Sequence, residues 1–477
     1  MQRIVLPLGI ALLFLLAVAA YASQVMAGTA VHPLVILAAA AAAYMALNIG
    51  ANDVANNMGP AVGARAIRMG AALAIAAACD LAGALIAGGD VVRTVSTDLL
   101  ISGSSLPPTT MAMVMISALL AAALWINAST FVGTPVSTTH AIIGAIVGAA
   151  IAAAGLGTVR WPTIGMIAVS WVFSPLLGAI FAAALHAVIR RLITRRADKL
   201  AAARHWVPLL VATMAGVFAM YLANKALGHW WQPSLGQTLL LGLCSAAAGW
   251  LVSKPWVELR SLGLGNRKKQ VATLFRPPLI VAAALLSFAH GANDVSNTIG
   301  PLAAILHALH ATPDSAGLIL PYWTLLLGAV GIGLGILLFG PRVIHTVGEQ
   351  ITKLNEIRAF CVALSAGVTV LTAAAFGLPI STTHVAVGAV FGVGFLREYL
   401  AIRNMHGAAV PVDTHFLDAS RLNDRPEIAL RRERRYERRF LVRRLKLARI
   451  GAAWLVTLPA SAVLAVLAYW LLQLATG

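Results

Sequence analysis

Charge is scarce in this chain, and negative charge scarcer. Of 477 residues only 17 are Asp or Glu against 35 Lys or Arg, and charged residues make up 11% of the total. A soluble domain carries about a quarter charged residues, so this chain cannot furnish an ordinary hydrated surface. Cysteine is nearly absent: Cys79, Cys244 and Cys361 lie in separate apolar segments without paired spacing. That excludes a disulfide framework or a structural zinc site and leaves them as small apolar side chains. What is present in excess is hydrocarbon, with 60% hydrophobic residues and a mean hydropathy of +0.84. Runs long enough to cross a bilayer recur from end to end, the pattern of an all-α polytopic membrane protein whose main partner is lipid.

The net charge of +18 raises the question of nucleic acid, and its distribution answers it. Six basic residues fall in 190–204, six in 254–276 and fourteen in 397–449, all between apolar segments. These are the cytoplasmic loops of the positive-inside rule, facing anionic headgroups, and no nucleic-acid-reading motif accompanies them. Arg65, Arg68, Arg93 and Arg342 lie at span ends, where snorkelling to headgroups is the default.

Residues 1–31 form an N-terminal helix or signal-like segment, with an apolar run behind Arg3 and small residues at Ala22 and Ala27. A first transport repeat covers 32–189, with spans at about 32–58, 69–89, 110–127, 134–155 and 163–189. Residues 190–277 hold basic loops around a linking hairpin, about 206–224 and 236–252. The second repeat occupies 278–396, with spans at about 278–300, 321–340, 359–377 and 380–396, and ends with a span in 452–477. Between them, 397–451 is a basic cytoplasmic insertion whose 426–450 part reads as an amphipathic surface helix. If all three basic loops are cytoplasmic, the first set starts outside and the second inside. Five spans is an odd number, so the expected architecture is two inverted repeats, about 12–13 membrane segments with re-entrant hairpins allowed at 110–155 and 359–396.

Two duplicated motifs carry the chemistry. Gly50-Ala-Asn-Asp-Val-Ala-Asn-Asn-Met-Gly-Pro60 matches Gly291-Ala-Asn-Asp-Val-Ser-Asn-Thr-Ile-Gly-Pro301 at eight of eleven positions. An aspartate at mid-membrane costs roughly 2.5 kcal/mol or more, so Asp53 and Asp294 are expected at a site rather than in lipid. Asn52 and Asn56, like Asn293 and Asn297, are four apart on one helical face. Amide and carboxylate oxygens are hard ligands, suited to sodium at Asp53 and Asp294, or to a proton carried there. The flanking Gly50, Gly59, Gly291 and Gly300 are expected to permit close packing or a helix break. The second motif, Pro135-Val-Ser-Thr-Thr-His140 and Pro379-Ile-Ser-Thr-Thr-His384, keeps its distance: 84 residues separate Asp53 from Ser137 and 87 separate Asp294 from Ser381. Proline suits a helix start, and Ser137, Thr138, Thr139, Ser381, Thr382 and Thr383 add hydroxyls to free N–H groups at a helix N-terminus, which makes an anion site. His140 and His384 are expected to orient that turn or line the pore. A weaker echo joins Trp171–Pro175 to Trp454–Pro459. Asp80, the one acid in its span, is a second-shell or gating candidate.

In this order and register the four motifs resemble the inorganic phosphate transporter (PiT) family of cation-coupled phosphate symporters. The resemblance covers both repeats and implies inorganic phosphate as substrate, a sodium or proton partner, no other cofactor and no enzymatic activity. It implies that Asp53, Asn56, Asp294 and Asn297 hold the coupling ion, and that the Ser-Thr-Thr runs with Asn52 and Asn293 hold phosphate. Location in the cell (inner or plasma) membrane follows, and homo-oligomerisation stays open. Family members often carry glutamate where Asp80 and Ala363 stand, which leaves the coupling ion open. A sulfate or related oxyanion permease of the same family is the nearest alternative. An intramembrane aspartyl protease with Asp53 and Asp294 as a dyad is the remote one.

Overall fold

The computed structural model describes residues 2–25, 33–101, 106–132, 136–225, 232–310, 321–348, 354–406 and 444–476. Among them the chain is helical, apart from one isolated antiparallel bridge between Leu100 and Val159. The helices are α1 (Gln2–Val25), α2 (Pro33–Gly63), α3 (Met69–Ala87), α4 (Gly89–Thr97), α5 (Pro108–Val132), α6 (Thr138–Ala154), α7 (Trp161–Ile189), α8 (Lys199–Lys225) and α9 (Leu235–Ser261), followed by α10 (Lys268–Ala272), α11 (Arg276–Asp294), α12 (Ser296–His310), α13 (Tyr322–Gly348), α14 (Glu356–Ala375), α15 (Thr382–His406) and α16 (Arg444–Thr476). Among the described residues twelve stretches are long and apolar enough to cross a membrane, and α6 is a shorter apolar helix of 17 residues. The expectation of an all-α polytopic membrane protein holds. Pro135 and most of the basic insertion lie outside the described residues.

Three local features were not legible in the sequence. A nine-residue helix, α4, follows α3 with Val91, Val92 and Val95 buried. The 278–300 span is divided at Val295 into α11 and α12, so Asp294 closes one helix and Ser296 opens the next. The Ser-Thr-Thr helices begin at Thr138 and Thr382, with Ser137 and Ser381 one residue before. Pro379 therefore precedes the first turn instead of occupying it.

Small residues set how closely the helices approach, because apolar helices in lipid gain little from hydrophobic burial against one another. A Cβ at Gly50 would lie 2.0 Å from the Ile332 carbonyl oxygen, and one at Gly291 would lie 2.0 Å from that of Asp80. Likewise Gly335 meets the Leu47 carbonyl at 2.1 Å and Gly83 that of Phe288 at 1.9 Å. The contacts are reciprocal: α2 packs on α13 in the manner that α11 packs on α3. Gly144 against the Leu458 carbonyl and Gly388 against that of Pro175 repeat the exchange for α6 with α16 and α15 with α7. Each helix of the first motif thus seats on a helix from the other half of the chain. A methyl group at these contacts overpacks the interface at about 1–3 kcal/mol. Gly291→Ala is expected to lower the thermal midpoint in detergent, whereas Gly59→Ala, with nothing within 4 Å of the added carbon, leaves it unchanged.

Candidate ion and anion site

The first motif lies in the C-terminal half of α2 and at the α11–α12 break, and the second leads into the first turns of α6 and α15. All four converge, and every expected site residue among them is buried. Ser137 caps α6 by accepting the His140 backbone N–H at 3.1 Å, and Ser381 accepts that of His384 at 3.2 Å. Hydroxyl-to-backbone capping of this kind satisfies one of the free N–H groups and leaves others pointing along the axis.

The halves interlock through side chains. Thr138 of the first half donates to Asp294 Oδ2 of the second at 3.0 Å, and Thr383 of the second donates to Asp53 Oδ1 of the first at 3.0 Å. Thr382 also donates to Asp294 Oδ2, at 3.3 Å. Asn56 donates to Thr383 Oγ1 at 2.9 Å and Asn297 to Thr139 Oγ1 at 3.3 Å, while Thr139 donates to the Ile380 carbonyl at 3.1 Å. Asn52 and Asn293 are committed to the chain: their amides donate to the Val136 and Ile380 carbonyls at 3.2 and 2.8 Å and to the neighbouring aspartates. Their bonds therefore hold the segments that lead into the two helix tips.

One residue at the centre was missed. His290, immediately before the second Gly-Ala-Asn-Asp, bonds through Nδ1 to Asp80 Oδ1. Its Nε2 lies 3.2 Å from Asp294 Oδ2 and 3.6 Å from Asp53 Oδ2. His290 and all three aspartates are fully buried. Asp53, His290 and Asp294 each offer a ligand atom within 4.8 Å of the others, a spacing that fits one small cation or shared protons. Two carboxylates about 4 Å apart repel by about 4 kcal/mol at an effective dielectric of 20. One imidazole cannot balance three of them, so the cluster calls for further positive charge.

The cluster also breaks the reciprocity of the fold. Where His290 precedes Gly291, Ile49 precedes Gly50; where Gly291 seats on Asp80, Gly50 seats on Ile332. A mismatch at the edge of an otherwise repeated motif was the available signal. A second asymmetry lies one turn on. Beside Asn56 a cavity of about 40 Å³, room for two or three waters, is lined by Gly59, Pro60, Gly63, Leu354 and Val387. The matching place beside Gly300 is filled, since a Cβ there would meet Val95 Cγ1 of α4 at 2.6 Å. Thr94 fastens α4 to the Gly377 carbonyl at 2.8 Å, and Lys225 pairs with Asp90.

Fold and site together define a polytopic helical membrane protein with a fully buried cluster of acids, amides and hydroxyls drawn from both halves of the chain. Residues 49–465 match the model of the phosphate transporter family, and the chain belongs to that family, one of transporters and not of enzymes. It is 40% identical to a Helicobacter pylori protein that bears the name of a phosphate permease, over 98% of this chain and 95% of that one. It is 34% identical to the chloroplastic inorganic phosphate transporter 2-1 of Arabidopsis thaliana, over 90% of this chain and 70% of that one. Among solved structures, a sodium-dependent phosphate transporter superposes with a TM-score of 0.78 at 32% identity, covering 93% of this chain and all of the other.

Proposed function

We propose that the protein imports inorganic phosphate across the cell membrane by symport with sodium or protons, through alternating access. The observation that carries this reading is the position of Asp294, whose Oδ2 accepts hydroxyl protons from Thr138 and Thr382 at the starts of α6 and α15. An oxyanion arriving between the two tips takes those same protons, together with the free N–H groups of both first turns. The carboxylate they leave behind is then buried with fewer partners, and a cation beside it offsets the loss. Anion and cation therefore bind better together than apart, which is the thermodynamic content of symport.

In this proposal Ser137, Thr138, Thr139, Ser381, Thr382 and Thr383 receive phosphate. Asp53, Asn56, Asp294 and Asn297 serve the coupling ion, Asn52 and Asn293 hold the tips, and Asp80 acts through His290. Between the start of α2 and that of α11 lie α2, α3, α7, α8 and α9 and the α5–α6 pair, an odd number of crossings whether that pair crosses twice or enters and leaves on one side. The odd count supports opposite directions for the two halves, the arrangement that lets one central site face either side. The positive-inside rule puts Gly63 and Leu354 at the cytoplasmic end. The small cavity beside Asn56 then lies on the release path, and α4 closes the outer one.

The test is phosphate-driven current in proteoliposomes with sodium and pH gradients imposed separately. One gradient is expected to drive uptake, and excess sulfate is expected to leave it intact. Current insensitive to both gradients would contradict symport, and inhibition by sulfate would favour the sulfate permease. Thr382→Ala removes a hydrogen bond to a charged group, worth about 1.5–3 kcal/mol. It is expected to raise both the phosphate KM and the cation requirement by about tenfold or more, since one hydroxyl serves both.

A further inference from the structure

Four aromatic rings lie in a row beside the anion site, and the proposed mechanism leaves them unused. His140 stacks on Trp171 with centroids 3.7 Å apart at 29°, His384 meets Trp454 at 3.7 Å and 35°, and the two imidazoles face one another at 4.5 Å. The row joins the first turns of α6 and α15 to α7 and α16, whose shared Trp-to-Pro echo thereby gains a structural partner. Trp171 fixes the plane of the His140 ring, and in that plane His140 Nδ1 lies 2.7 Å from Ser137 Oγ.

A serine hydroxyl has two lone pairs and one proton. The backbone N–H of His140 takes one lone pair. If Nδ1–H takes the other, the hydroxyl has nothing left to accept, and its single proton is free for a third group. If Nδ1 instead accepts, the proton is consumed inside the turn. In the companion ring, His384 Nε2 is buried without a hydrogen-bond partner, and an unmet lone pair is more readily tolerated in a protein interior than an unmet N–H, which places that ring's proton on Nδ1. The same tautomer at the motif-equivalent His140 is what a comparison of His140→Phe with His140→Asn tests.

We propose that His140 is a positioning residue for phosphate, holding the Ser137 hydroxyl as a pure donor aimed at the anion. The proposal rests on Ser137 binding phosphate. His140→Phe keeps a ring for the stack and loses the Nδ1–H, whereas His140→Asn replaces that group with an amide N–H at the same distance from the backbone. Phosphate KM and Vmax are measured in proteoliposomes for both variants, for Ser137→Ala and for Ser137→Ala with His140→Phe, with detergent melting midpoints as a check on folding. His140→Phe is expected to raise KM about tenfold with Vmax within twofold. His140→Asn is expected to return KM to within about threefold of the parent, and the double variant to equal Ser137→Ala. An unchanged KM in Ser137→Ala overturns the anion-site reading and this proposal with it. If Ser137→Ala raises KM, then an unchanged KM in His140→Phe, equal effects of Phe and Asn, or additivity in the double variant overturns the role of His140 alone.

Discussion

Asp53→Asn and Asp294→Asn are each expected to cut phosphate uptake at least about 100-fold while the protein still reaches the membrane and melts as a folded species. Asparagine keeps the size and one carbonyl oxygen of the side chain, so packing within the fully buried cluster is preserved. What it loses is the charge proposed to bind the coupling ion. A close charged contact in a buried site contributes about 3–5 kcal/mol when one partner is removed, and 100-fold corresponds to about 2.7 kcal/mol. The two substitutions need not be equal. Asp294 accepts from Thr138 and Thr382 and also faces His290. Asp53 Oδ2 has only the longer 3.6 Å contact with His290. The phosphate KM is therefore expected to rise more in Asp294→Asn, because the acceptor that both helix tips share loses its charge. Uptake of labelled phosphate and quantitative membrane immunoblotting check both points, and near-normal uptake in either variant removes that carboxylate from the mechanism.

His290→Ala is expected to be the most destabilising single change in the site, by about 3–5 kcal/mol, because it leaves Asp80, Asp53 and Asp294 buried together without the imidazole between them. Its effect extends beyond packing. With the bridge gone, the three carboxylates can be accommodated only by more bound cations or protons, so the dependence of the melting midpoint on sodium concentration and pH is expected to steepen. Combining His290→Gln with Asp80→Asn restores a neutral donor–acceptor pair. The double variant is expected to melt higher than His290→Gln alone, since coupled neighbours do not add. Melting curves across sodium concentration and pH check this; strict additivity of the two changes would mean that Asp80 does not act through His290.

Much of this molecule could be read from its sequence. The spans are legible because most are long apolar runs set off by charged or Pro- and Gly-bearing loops, and the twin motifs because identity at eight of eleven positions in hydrocarbon is costly to keep without use. That both Ser-Thr-Thr tips meet is expected from the duplication, but which threonine bonds which aspartate is not, because Thr138 on Asp294 and Thr383 on Asp53 are not equivalent positions of the repeat. His290 was not legible. A single histidine in an apolar run carries no pattern of its own, and its meaning comes from Asp80, 210 residues away, brought to it by the Gly291 contact on the Asp80 carbonyl. Nor was the break after Asp294, because Val295 matches Val54, which continues α2 without interruption. Local sequence was the same in both copies, and the surrounding helices chose between the outcomes. The nine residues of α4 are too few and too mixed in polarity to stand out, although Val95 fills the place that remains open beside Gly59 in the other half.

The central claim is that one anion is held between two helix tips contributed by the two halves of the chain. A cryo-electron microscopy map of the protein with phosphate and the coupling cation present tests it most directly. The account predicts phosphate density bounded on one side by Ser137 to Thr139 and on the other by Ser381 to Thr383, with Asp294 beside it. Phosphate density contacting only one of these runs, or lying away from both, would contradict it.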